Sequence, residues 1–97
     1  MNPAIRILVV DDHAIVRMGL IALLRTEPDF EVVGEAEDGN EAIKKAQELK
    51  PDIVVMDILM PGCNGIEATA GIRKVSRRTR IVVLTTTSSA RDLVRIR

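Results

Sequence analysis

Three apolar runs rich in β-branched residues, Ile5–Val10 (broken only by Arg6), Ile53–Met56 and Ile81–Leu84, constrain the fold more than any other feature of the chain. A strand with one wet face alternates apolar and polar residues. A run without alternation reads as a strand covered on both faces. A fourth run, Val32–Ala36, is interrupted by Gly34 and Glu35 and reads as an edge strand with one side in water. Stretches of helical period lie between the runs. Ala14–Thr26 sets Val16, Leu20, Leu23 and Leu24 along one stripe and stops short of Pro28. Glu41–Leu49 follows Asp38, which has capping-box spacing to Glu41, and Lys50–Pro51 closes that helix. Asn64 and Glu67 repeat the spacing ahead of a third helix over Gly65–Val75. After a polar stretch, Ala90–Arg97 is expected to begin a fourth helix. The order β-α-β-α-β-α-β-α with short connections predicts an α/β, doubly wound parallel sheet.

A chain of 97 residues holds one domain at most. Phe30 is the only aromatic residue, so the core must be aliphatic. The net charge is zero but unevenly spread. Residues 1–70 carry 13 acids and 6 bases, and residues 71–97 carry 8 bases and 1 acid. The basic end reads as a solvated surface, because no aromatic platform or reading helix accompanies it. Cys63 is the only cysteine, which excludes an internal disulfide and a cysteine-rich metal site. A reducing, cytoplasmic setting is the expectation. No stretch resembles a secretory signal or approaches the length of a membrane span.

Acids stand at two of the strand ends. Asp11 and Asp12 follow the first run, and Asp57 follows the third. In an open parallel sheet, ligands bind along the rim formed by the strands' C-terminal ends. Three carboxylates there repel one another unless a hard divalent cation sits among them. Turn formation and helix capping account for one of the first pair, but not for two adjacent acids and a third at an equivalent strand end. A carboxylate at such an end is open at the rim and is a candidate acceptor for a phosphoryl group. Asp12 and Asp57 are candidate ligands of a Mg²⁺ ion, with Mn²⁺ as a substitute. Asp11 would bind directly or through water, and the backbone oxygen of Leu59 would supply another ligand.

Thr85 occupies the matching position after the fourth run, where its hydroxyl would donate to a phosphoryl oxygen; Thr86 and Thr87 compete for that role. Pro61–Gly62 and Gly65 read as tight backbone beside the site. His13 reads as the start of the first helix rather than a chemical participant. Met56 and Met60 read as packing residues.

The segments ILVVDDHAIVRMGLIALL, VVGEAEDGNEAI, PDIVVMDILMPGCNGIEAT and RIVVLTT together resemble the receiver domain of a two-component response regulator over residues 4–87. The histidine after the acid pair and the wording VVGEAEDGNEA are most similar to the subfamily with a C-terminal helix-turn-helix DNA-binding domain. The resemblance implies that Asp57 accepts the phosphoryl group and that Asp12 binds Mg²⁺ directly, with Asp11 acting through water. It gives Leu59 the main-chain ligand and Thr85 the switch hydroxyl. It further implies a sensor histidine kinase as donor, or a small acyl phosphate, and DNA contact only through an output domain. Such a domain is a phospho-acceptor rather than a turnover enzyme.

The resemblance also implies a parallel fifth strand bearing an essential lysine, and a last helix. No lysine follows Lys74, and the tail SSARDLVRIR fits the pattern poorly. The chain is therefore read as a receiver in strand order 2-1-3-4, with the fifth strand and last helix missing, no output domain, and impaired phosphorylation. Its fourth strand would be left as an uncovered apolar edge, which favours a dimer or a swapped assembly. The alternative function is a non-catalytic protein-interaction module. A related phosphohydrolase would carry an acid two residues after Asp57, where Leu59 stands, and no phosphate-binding glycine loop follows the first run.

Overall fold

The computed structural model describes residues 3–57 and 65–84, together with the backbone of 94–96. Four strands, β1 (Ile5–Val10), β2 (Phe30–Ala36), β3 (Ile53–Asp57) and β4 (Arg80–Leu84), form a parallel sheet in the order β2-β1-β3-β4. Three helices alternate with them: α1 (Ala14–Leu24), α2 (Gly39–Leu49) and α3 (Gly65–Val75). The doubly wound α/β arrangement is the one expected from the apolar runs, and the strand order is the one the resemblance implies.

The sheet is covered on both faces. On one, Leu8, Val10, Val54, Met56 and Ile81 pack with Ala42, Ala46, Ala68 and Ile72 of α2 and α3. On the other, Ile7, Val9, Val55 and Leu84 pack with Ile21 of α1. Strands β1 and β3 supply both clusters, which explains their lack of alternation. Small residues bring α2 and α3 close together. A Cβ on Gly71 would lie 2.4 Å from Ile43 Cδ1 and 2.8 Å from its Cγ1, so any side chain there would force Ile43 to move.

Local chemistry sets the helix ends. The Asp38 carboxylate accepts the Glu41 amide at 2.8 Å, and Glu41 Oε1 accepts the Glu37 amide at 2.8 Å. This is the expected capping box, with its return bond one residue earlier than the cap itself. Lys50 ends α2 in the left-handed conformation, at φ 47°. Its amide donates to the Ala46 carbonyl, and Pro51 prevents continuation.

Two expectations are corrected. The inward stripe of α1 is Leu20, Ile21 and Leu24, whereas Val16 and Leu23 are exposed, Leu23 by 66%. Helical spacing from Ile21 turns position 17, rather than 16, toward the sheet. The other correction concerns the tail. Val94–Ile96 is not helical: it forms a three-residue strand, β5, antiparallel to β4, pairing Val82 with Ile96 and Leu84 with Val94. The edge of β4 is thus covered by the chain itself rather than left open. An apolar edge takes the nearest chain able to complete its backbone hydrogen bonds. With that edge covered, the reason given for a swapped assembly falls away.

Candidate functional site

The parallel register places the acids together. Val10 pairs with Met56 across β1 and β3, so the next residues on each strand, Asp11 and Asp57, emerge side by side. Asp57 in turn pairs with Leu84 of β4. One potential ligand atom from each of Asp11, Asp12, His13 and Asp57 lies within 4.8 Å of all the others. Asp57 is 1% exposed and is therefore buried beneath the rim rather than open on it, a further correction.

Asp11 is anchored at every backbone group. Its amide donates to Ala36 at the end of β2, at 3.0 Å, and its carbonyl accepts from Arg17 Nη1 at 2.7 Å. Its Oδ1 accepts the His13 amide at 2.8 Å, which turns the chain from strand into helix. His13 is the N-cap of α1, in extended conformation, as expected for a helix start. Its ring also enters the cluster: Nδ1 lies 3.1 Å from Asp12 Oδ1 and 3.5 Å from Asp11 Oδ1. The sequence reading puts His13 at the helix start near the rim but gives its ring no part in the cluster. The available signal was that an N-cap directly after an acid pair shares the pair's turn.

Burial lifts the Asp11 carboxyl above its ordinary pKa of 3.8. The His13 amide pulls it back down, while the Asp57 and Asp12 carboxylates push it up again. Asp11 Oδ2 and Asp12 Oδ1 are buried without a hydrogen-bond partner. Two buried carboxylate oxygens without hydrogen bonds, beside a third carboxylate, are expensive in a folded protein. A small divalent cation with a preference for oxygen resolves both the repulsion and the missing partners. The donor set therefore fits Mg²⁺, with Asp11, Asp12 and Asp57 as the residues that would hold it. Leu59 and Thr85, together with Met60, Pro61, Gly62 and Cys63, lie outside the described residues. Met56 is fully buried among the residues packed under α2 and α3, as expected.

A parallel α/β sheet with a buried, cation-ready carboxylate cluster at its rim defines a class of phospho-acceptor domains. Residues 7–97 match the family model described as response regulator receiver domain, and the chain belongs to that family. The matched span includes the tail, beyond the residues that carried the resemblance. The chain is 52% identical over 81 residues to transcriptional regulatory protein LiaR of Bacillus subtilis, covering 84% of this chain and 38% of LiaR. It is 46% identical over 92 residues to response regulator protein VraR of Staphylococcus epidermidis, covering 95% of this chain and 44% of VraR. It thus spans less than half the length of these relatives. Among solved structures, the signal receiver domain of the putative response regulator NarL from Mycobacterium tuberculosis superposes with a TM-score of 0.82 at 30% identity, over 92% of this chain and 72% of that one. No helix among the described residues is long and apolar enough to cross a membrane.

Proposed function

We propose that Asp57 is the phospho-acceptor of a signalling receiver and that Asp11 and Asp12 hold the Mg²⁺ on which the transfer depends. The observation carrying this reading is the convergence of Asp11, Asp12 and Asp57 at adjoining strand ends, with two buried oxygens that accept no hydrogen bond. A carboxylate oxygen of Asp57 forms the new O–P bond. The N–P bond of a kinase phosphohistidine breaks, and the freed imidazole keeps the bonding pair and takes up a proton. With an acyl phosphate as donor, the O–P bond breaks and a carboxylate leaves. Bound Mg²⁺ supplies positive charge against the carboxylates and the incoming phosphoryl oxygens. The chain's own residues keep Asp57 dry at the end of β3, and keep Asp11 and Asp12 beside it. The resemblance adds the Leu59 backbone oxygen as a ligand and the Thr85 hydroxyl as a donor to the phosphoryl group.

A sensor histidine kinase is the donor in this reading. The product biases an equilibrium between two arrangements of the rim. In the longer protein that state would regulate transcription through a DNA-binding output domain, in keeping with the name of the relative LiaR. The test is the intact mass of the chain after incubation with acetyl phosphate and Mg²⁺. A phosphoryl adduct that disappears in Asp57→Asn is the expected result, and absence of an adduct in the parent chain would sink the assignment.

A second reading has one observation in its favour. The antiparallel β5 lies against β4, where the resemblance implies a parallel strand bearing a lysine. A domain of that kind would act by pairing with a partner, another copy included, without being phosphorylated. Retained Mg²⁺ binding with no adduct on Asp57 would select it.

A further inference from the structure

Position 17 is on the inward side of α1, one turn before Ile21 and two before Leu24. A core residue is expected there, yet the chain places an arginine whose side chain is only 14% exposed. A cation at such a position is costly unless its donors are used. Both directions of the guanidinium are occupied. Nη1 donates to the Asp11 carbonyl at 2.7 Å, and Nε donates to Glu35 Oε1 at 2.7 Å. The Arg17 amide also donates to the His13 carbonyl at 2.9 Å. One residue thus joins the exit of β1, the end of β2 and the first turn of α1.

We propose that Arg17, braced by Glu35, is a positioning residue for the cation site: it sets the plane of the Asp11–Asp12 peptide and so the direction in which the two carboxylates point. This rests on the reading of the rim as a Mg²⁺ site. The Asp11 carbonyl and the Asp12 amide belong to one planar unit, so holding the carbonyl fixes the plane from which the Asp12 side chain departs. The His13 amide holds Asp11 Oδ1 at the same time. With the turn held at both points, Asp11 Oδ2 and Asp12 Oδ1 are the oxygens left over. Glu35 takes up the charge of the guanidinium, so Arg17 acts by orientation and not as a rival cation. Lys45 Nζ donates to the Glu35 carbonyl at 2.5 Å and steadies the brace. A planar fork with two used donors is what separates arginine from lysine here.

The test uses the full 97-residue chain and measures Mn²⁺ binding by electron paramagnetic resonance, with Mg²⁺ as competitor. Groups that orient metal ligands typically change affinity 10–100-fold when removed. Arg17→Met should weaken both ions about tenfold, the low end of that range, because the residue holds a backbone carbonyl rather than a ligand atom. Arg17→Lys should recover part of the loss. Glu35→Ala should weaken binding less than Arg17→Met, and the double variant should be no worse than Arg17→Met alone, since the two act as a unit. Hydrogen exchange at the His13 amide should quicken in Arg17→Met without any ion present. The Mg²⁺ concentration giving half-maximal phosphorylation should rise by the same factor as the dissociation constant. Affinity within twofold of the parent in folded Arg17→Met overturns the proposal. If that variant does not fold, unchanged affinity in both Arg17→Lys and Glu35→Ala overturns it. A parent chain that binds neither ion overturns the cation site itself, whereas a binding parent with unchanged variants overturns only the role of Arg17.

Discussion

The two ends of the sheet bury polar side chains in opposite ways. Where the strands begin, Thr79 Oγ1 donates to the Pro51 carbonyl at 2.6 Å and lies 2.6 Å from Ser76 Oγ. Beside this buried pair, nearer the surface, Arg6 reaches the Leu49 and Lys50 carbonyls, and the exposed Asp52 carboxylate accepts the Arg6 amide at 2.8 Å. These groups satisfy one another and need nothing from outside. Where the strands finish, Asp11 Oδ2 and Asp12 Oδ1 are buried beside Asp57 and accept no hydrogen bond, with only the His13 ring near Asp12 Oδ1. A polar cluster closed on itself fixes a structure. One left open costs stability until something fills it, and that cost marks the rim as the working end.

The largest effect separating the two ends should come from the ion. Mg²⁺ at about 100 times its dissociation constant should stabilise the chain by about 2.7 kcal/mol, and chelation should remove the gain. Thermal melts with and without a chelator would measure it. An unchanged midpoint in saturating Mg²⁺ would break the contrast, because the rim would then need no ligand.

The closed end should answer next. Thr79→Val keeps the shape but leaves the Pro51 carbonyl and the Ser76 hydroxyl without their partner. Buried groups stranded in this way cost roughly 2 kcal/mol, and the melting midpoint should fall by roughly 10 °C. Mg²⁺ affinity should not move. A loss of ion binding in this variant would show that the two ends are coupled.

At the rim the sign should reverse. Asp11→Asn removes one of three mutually repelling charges and should raise the stability of the ion-free chain by about 1 kcal/mol while weakening Mg²⁺ binding. The pH dependence follows from the raised Asp11 pKa. Because the folded chain holds that proton more tightly than the unfolded one, the Asp11 contribution to stability is complete below the ordinary value of 3.8. It is lost as pH rises through the higher folded value. Ion-free melts from acid toward neutral pH should reveal this falling component in the parent minus Asp11→Asn difference, and saturating Mg²⁺ should cancel it. A difference that grows more favourable to the parent with rising pH would contradict the cause assigned to the shift.

Much of this was readable before the fold was known, and the parts that were not share a physical origin. The runs Ile5–Val10 and Ile53–Met56 specify buried parallel strands by composition alone, and register then brings Asp11 and Asp57 together without further information. The rotation of α1 was not readable, because Val16, Leu20, Leu23 and Leu24 form as good a stripe as Leu20, Ile21 and Leu24. Only the docking of Ile21 on the sheet selects between them. Arg17 was hidden for the same reason: a charged residue on an inward face breaks the very pattern used to find that face. The antiparallel β5 was unreadable from Ala90–Arg97 because its strand state comes from pairing with β4 and not from local periodicity.

The smallest effect sharpens the comparison from the other side. Arg77 and Arg78 lie between α3 and β4, exposed, and both border two open clefts at the closed end of the sheet. Their density invites a functional reading like that given to the acids, but the energetics differ. Asp11 and Asp57 lie out of water, whereas these bases are solvated and their mutual repulsion is screened. Replacing either by alanine should change stability by no more than about 0.5 kcal/mol and leave Mg²⁺ affinity within error. The double variant should be slightly more stable at low salt than at high salt relative to the parent, since relieving like-charge repulsion matters most where screening is weakest. A loss above about 1 kcal/mol would mean that these side chains hold the closed end together, and charge density alone would then no longer tell a working surface from a solvated one.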